Sequence, residues 1–213
     1  SDLLTVPALA RPVTGLTGQA YFQGDKIQTG TLRAKIGESD LEGNLQIDDL
    51  RKPAVAGLVK ADRLHARDLG WKSPKGDAIF YGVSAQAVWK EKDLLVNRLS
   101  FGLGKSLFTA SGHIRDFAAP KITAELSSPF IDSDDIALLT SLKTSKKDGT
   151  ATSGATVDAT VRADKVSLEG FEFNALQAVL NYAPGTLNVR SLEAGVLDGR
   201  IRAKGKAALR PDG

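Results

Sequence analysis

The sequence predicts an all-β fold: repeated antiparallel strands forming a curved, twisted sheet, a groove or a flattened sandwich, with one short helix near residues 133–142. Three observations lead there. Apolar residues recur with a period of two, the signature of a strand with one dry face. Glycine is abundant, at 21 of 213 residues against a usual share of roughly 7%, which suits many strands joined by tight turns. The chain also resembles itself at a fixed spacing, the mark of a repeat architecture.

The alternation is explicit in four segments. Leu41, Gly43, Leu45 and Ile47 alternate with Asp40, Glu42, Asn44 and Gln46. Ile122, Ala124 and Leu126 alternate with Lys121, Thr123, Glu125 and Ser127. Val157, Ala159, Val161 and Ala163 alternate with Asp158, Thr160, Arg162 and Asp164. Ile201, Ala203, Gly205, Ala207 and Leu209 alternate with Arg200, Arg202, Lys204 and Lys206. Short turn-like connections at Gly24-Asp25, Lys92-Asp93, Pro184-Gly185 and Asp198-Gly199 make neighbouring strands antiparallel.

Residues 19–70 align with 86–137 at a spacing of 67 without a gap. Identical pairs include Gln19/Gln86, Ala20/Ala87, Leu32/Leu99, Gly37/Gly104, Ser39/Ser106, Ile47/Ile114, Asp49/Asp116 and Pro53/Pro120. Phe22/Trp89, Ile36/Leu103, Leu41/Phe108 and Val55/Ile122 are similar. A third copy pairs Gln177-Ala178 with Gln86-Ala87. With two extra residues at the turn Ala183-Pro184-Gly185, it then pairs Leu192 with Leu99 and Gly205 with Gly112. The chain therefore reads as one unit, 1–213, with repeats at about 14–70, 82–137 and 155–213.

Asp132 or Ser133 can cap the helix, Asp134 and Asp135 suit its first turn, and Ile136, Leu139 and Leu142 carry helical spacing. The polar stretch 143–153 reads as a linker or mobile loop.

Composition removes several functions. There is no cysteine and there are only two histidines, so disulfide scaffolds, thiolate metal sites and multi-histidine sites are excluded. The net charge of +3 comes from 28 basic and 25 acidic residues with their signs interspersed, so no nucleic-acid partner is expected. No stretch reaches the roughly 20 apolar residues of a membrane span. The chain has no methionine and reads as a piece of a longer protein.

A sheet with one apolar face must cover it, and one short helix cannot do so. The sheet either packs on itself or curls into a trough that meets an apolar ligand. The expected lining is Leu99, Phe101, Leu103, Phe108, Ile114, Ile122 and Leu126, with Leu32, Ile36, Leu41, Ile47 and Val55 in the first repeat. Small residues such as Ala87, Ala110, Gly112, Ala124 and Ala159 leave room along it.

The runs Ala34–Leu45, Lys52-Pro53, Ala61–Leu64 and Asp68-Leu69 resemble the AsmA family of bacterial envelope proteins. Their echoes Gly102–Phe108, Ala119-Pro120 and Ser127–Asp132 carry the same resemblance, as do Leu187–Arg190, Leu197–Arg200 and Ala203–Gly205 near the end. The resemblance covers most of residues 14–213. It implies a non-enzymatic periplasmic module whose parent is anchored in the inner membrane. Together with the related TamB-like proteins, it implies a β-groove that carries phospholipid or supports outer-membrane assembly. Its expected partners are phospholipid or another lipid, with envelope-assembly proteins as further candidates. A structural or protein-binding β-sandwich without bound lipid is the alternative.

The remaining motifs have plainer readings. Gly104-Lys105-Ser106 is similar to the end of a phosphate-binding loop, but position 99 is Leu where that motif needs Gly, and a strand pattern follows. Asp132, Asp134 and Asp135 lack the closing Glu of a calcium loop, because the twelfth position is Lys143. His65 and His113 are expected at the surface. Trp71 and Trp89 suit core or turn packing. Neither a nucleophile elbow nor a carboxylate pair in a recognisable setting is present, so no catalytic residue, metal or cofactor is expected. Arg200, Arg202, Lys204 and Lys206 form a basic comb that reads as the wet face of one strand or as a surface for anionic headgroups.

Overall fold

The computed structural model describes residues 3–4, 11–144 and 154–208. It is 71% strand and 6% helical. The first copy contains β1 (Leu3–Leu4), β2 (Val13–Thr17), β3 (Ala20–Gln23), β4 (Lys26–Thr29), β5 (Leu32–Ile36), β6 (Ser39–Ile47) and β7 (Ala54–His65), then a 3₁₀ turn, Ala66–Leu69. The second contains β8 (Trp71–Lys72), β9 (Ile79–Lys90), β10 (Asp93–Leu103), β11 (Ser106–Arg115) and β12 (Lys121–Asp132), then helix α1 (Ser133–Thr140). The third contains β13 (Lys143–Thr144), β14 (Thr156–Leu168), β15 (Phe171–Ala183), β16 (Thr186–Val196) and β17 (Gly199–Ala208).

All but β8 and β13 belong to one open sheet of 15 strands, ordered β1-β2-β5-β6-β7-β9-β10-β11-β12-β14-β15-β16-β17, with β4 beside β6 and β3 beside β4. Of the shapes the alternation allows, this is the open sheet and not the flattened sandwich. Neighbours run antiparallel except β12 and β14, which are parallel. A parallel pair cannot be closed by a hairpin and needs a crossover. The crossover here begins with α1, which Asp132 caps by accepting a 3.0 Å hydrogen bond from the Asp134 amide.

The repeat is visible in the ladder irregularities. Between β10 and β11 the register shifts between Val96 and Leu99, and between β16 and β17 it shifts between Val189 and Leu192, 93 residues later. Gly15, Gly82 and Ala175 all take positive φ, at 59°, 57° and 50°, at the equivalent bulge of β2, β9 and β15. These bulges set the third copy at 93 residues from the second through the whole β15–β17 unit. The two extra turn residues expected at Pro184-Gly185 are therefore not there: Lys90 pairs Asp93 and Ala183 pairs Thr186, each across two residues. The shared letters Gln-Ala suggested a spacing two residues short of the true one. The second and fourth expected turns also move one residue earlier, to Glu91-Lys92 and Leu197-Asp198.

Lys143 and Thr144 are not loop; they pair with Lys72 and Trp71. The rest of the expected linker, 145–153, lies outside the described residues. His65 is buried, contrary to its expected surface position, because the loop before β9 folds over the end of β7 and Asp77 meets His65 Nδ1 at 2.9 Å.

The main buried cluster lies at one end of the sheet. There Ala66, Ala78, Phe80, Leu103, Phe108, Ile131 and Ala163 are buried, and Ile136, Leu138 and Leu139 of α1, with Leu142 just beyond it, pack on them. Trp71, Phe80, Phe101 and Phe108 form a run of rings with centroids 6.3, 5.5 and 5.1 Å apart. Edge-to-face pairs of this kind add to the area they bury.

Candidate functional site

The ladder registers align the inward positions of successive strands into continuous rows. One row runs Leu45, Gly57, Ala87, Val96, Gly112, Ala124, Ala159, Leu180, Val189 and Gly205 from β6 to β17. The row on one side passes through Leu32, Gly43, Val59, Ala85, Leu99, Ala110, Leu126, Val161, Ala178, Leu192 and Ala203. On the other side lie Phe22, Ile27, Ile47, Val55, Trp89, Leu94, Ile114, Ile122, Val157, Tyr182 and Leu187. Each row is apolar from end to end apart from the Tyr182 hydroxyl and the Trp89 indole N–H, which donates to the Glu91 carbonyl at 3.1 Å. Because side chains alternate faces, the residues between them, such as His113, Thr123, Asp158, Asn181, Asn188 and Lys206, make up the opposite, polar face.

Among the described residues, this apolar face has no second layer over most of its length. The accessible surface is 14216 Å², against about 9,500 Å² for a compact monomer of this mass. Trp89 is 51% exposed within the face.

The expected lining divides in two. Leu103 and Phe108 are sealed beneath α1, Ile36 is buried in the first copy, and Phe101 and Leu126 pack against the sealed cluster. Leu32, Leu41, Ile47, Val55, Leu99, Ile114 and Ile122 are half-buried on the open face. The structure extends that face through the third copy with Val157, Val161, Leu180, Val189 and Leu192. The same alternation was the signal for these residues. A shallow depression of ≈ 160 Å³ in the first copy is bounded by Leu16, Leu32, Ala34, Leu41, Leu45 and Val59.

The basic comb Arg200, Arg202, Lys204 and Lys206 lies on the polar face of β17, all four residues exposed, with Arg202 Nε 3.3 Å from Glu193 Oε1. The outer edge of β17 pairs with no strand among the described residues.

Several polar side chains are committed to structure. A ≈ 610 Å³ depression includes Asp158, Arg190, His113 and Glu125 among its lining residues. Asp158 Oδ1 takes hydrogen bonds from Asn181 at 3.0 Å and Arg190 at 3.3 Å, and His113 Nδ1 takes one from Arg115 Nε at 3.1 Å. Gly104-Lys105 is the turn between β10 and β11. Asp135 faces that turn: its Oδ2 accepts from the amides of Lys105 and Ser106, both at 2.9 Å, and from Ser106 Oγ at 2.7 Å. Sequence reasoning weighed Asp135 as a first-turn acid of the helix and, with Asp132 and Asp134, against a calcium loop, and did not see this contact. Its match with Asp68 at the same spacing of 67 was the signal for the turn lock. Among the described residues no cluster of His, Cys, Asp or Glu is arranged to hold a metal ion. No family model, curated protein or solved structure matches this chain.

Proposed function

We propose that the chain is a non-enzymatic module that shields lipid acyl chains on its open apolar face. In this reading it is part of an AsmA-like periplasmic protein anchored in the inner membrane, serving phospholipid transport or outer-membrane assembly. The observation that carries the reading is the set of continuous apolar rows crossing the three copies without a covering layer among the described residues. Small residues in the middle row, Gly57, Ala87, Gly112, Ala124, Ala159 and Gly205, lie beside the bulkier row that runs from Phe22 to Leu187. Half-burying each CH₂ of an acyl chain there stabilises the complex by about 0.4 kcal/mol, so ten such groups contribute about 4 kcal/mol.

Mass spectrometry of organic extracts from the purified chain tests this directly. Phospholipid at a fixed stoichiometry supports it, and a lipid-free extract removes it. The edge of β17, unpaired among the described residues, favours a second reading, an assembly scaffold that pairs with a partner strand. A lipid-free extract together with a captured strand at that edge would establish the scaffold instead.

A further inference from the structure

Leu197 is 92% exposed and sits at a backbone φ of 50°. It occupies the first residue of the β16–β17 turn. The equivalent turns of the first two copies place Gly37 and Gly104 there, at φ 58° and 56°. Glycine takes this conformation freely, whereas a leucine there is strained and leaves nearly all of its apolar surface in water. The fold therefore carries an unfavourable residue at a place where its own repeat supplies the favourable one.

The neighbouring hairpin ends in the same way. Leu168 and Phe171 pair across the tip of β14 and β15, at 46% and 64% exposure. They lie two residues beyond Val166 and Phe173, and Val166 packs against the buried cluster. The apolar face thus runs off the end of this hairpin, and the tip of β16–β17 stands beside it through the pair Phe173 and Val196.

We propose that these two hairpin tips, through Leu168, Phe171 and Leu197, insert into the surface of a lipid bilayer. This goes beyond the acyl-shielding reading and does not depend on it. Together the three side chains expose roughly 400 Å², about half of the 800 Å² a side that a stable protein interface needs. Leu197 projects from a turn, and Leu168 and Phe171 from the paired strand ends of the neighbouring hairpin, a form that suits insertion between lipids. The charges around them are mixed: Glu169, Glu172 and Asp198 stand with Lys165 and Arg200. No net positive charge draws the tips to anionic headgroups, so apolar insertion carries the binding.

Flotation of the whole chain with phosphatidylcholine vesicles tests the proposal. The wild-type chain floats with the vesicles, and raising the salt concentration leaves this unchanged. Leu197→Gly lowers partitioning about tenfold while raising the melting temperature, which separates lost insertion from lost folding. Adding Phe171→Ser abolishes flotation. A wild-type chain that does not float overturns the proposal, as does a Leu197→Gly variant that floats like it. So does flotation that salt removes and that tracks Arg200 and Lys204 instead, or a self-association that Leu197→Gly disperses without changing flotation. Titration of both chains with a soluble fluorescent fatty acid keeps the two readings apart. Absent fatty-acid binding with Leu197-dependent flotation removes acyl shielding and leaves insertion standing; the opposite pattern does the reverse.

Discussion

Asp68 and Asp135 stand 67 residues apart and perform the same task. Asp68 Oδ2 takes the Ser39 hydroxyl at 2.8 Å and the Glu38 amide at 2.9 Å; Asp135 Oδ2 takes the Ser106 hydroxyl at 2.7 Å and the Lys105 amide at 2.9 Å. Each serine oxygen in turn accepts an amide from the end of the next long strand, His65 in one copy and Asp132 in the other. Each carboxylate therefore fastens the segment after a strand to the hairpin two strands back. This is a repeat in chemistry as well as in sequence. The third copy has Gly199 at the serine position.

Removing one lock tests its worth. Asp135→Ala leaves the Lys105 and Ser106 amides and a buried hydroxyl without their acceptor. Losing such partners costs about 3 kcal/mol. Chemical denaturation of Asp135→Ala, Ser106→Ala and the double variant should give a double-mutant cycle with a coupling of about 1 kcal/mol or more. Additive losses would mean that the pair does not act as a unit.

The turn glycines separate strain from collision. Gly104 has φ 56°, and a methyl group there would meet the Asp135 carboxylate; Gly24 has φ 60° with open space around its Cα. Gly24→Ala should cost about 1 kcal/mol from backbone conformation alone. Gly104→Ala should cost at least about 2 kcal/mol more, because it also displaces a carboxylate holding three hydrogen bonds. Equal losses in thermal melts would refute the lock geometry.

Trp89 provides an optical report on the open face. In a Trp71→Phe background its emission starts at a solvent-exposed wavelength. It should shift blue as decanoate is added, because the indole lies in a row with Leu94 and Ile114. Ile114→Lys should weaken the response at least about tenfold, since a charge there must be desolvated, while circular dichroism stays unchanged. An unshifted emission maximum at saturating decanoate would remove acyl chains as occupants of this part of the face.

The strands were legible because period-two alternation is a local property, written in residues such as Ile122, Ala124 and Leu126. The helix was legible for the same reason: the Asp132 cap and the spacing of Ile136 and Leu139 are neighbours in the chain. The locks were not, although Asp68 and Asp135 are identical and equally spaced, because an acid after a strand can face water, cap a helix or reach back to a turn. Only the register of β10 on β11 and of β12 beside them brings Ser106 and Asp135 together.

The sequence by itself determined that one face of each strand would be apolar. The tertiary structure decided how much of that face stays open. Leu103, Phe108 and Ile114 belong to the same strand pair with the same alternation, yet the first two are sealed and the third is not. The difference is the path of the chain after Asp132. Parallel pairing of β14 with β12 requires a crossover, the crossover carries α1 over one end of the sheet, and a helix of eight residues is about 12 Å long. That length covers the end and leaves the rest of the apolar rows without a layer among the described residues.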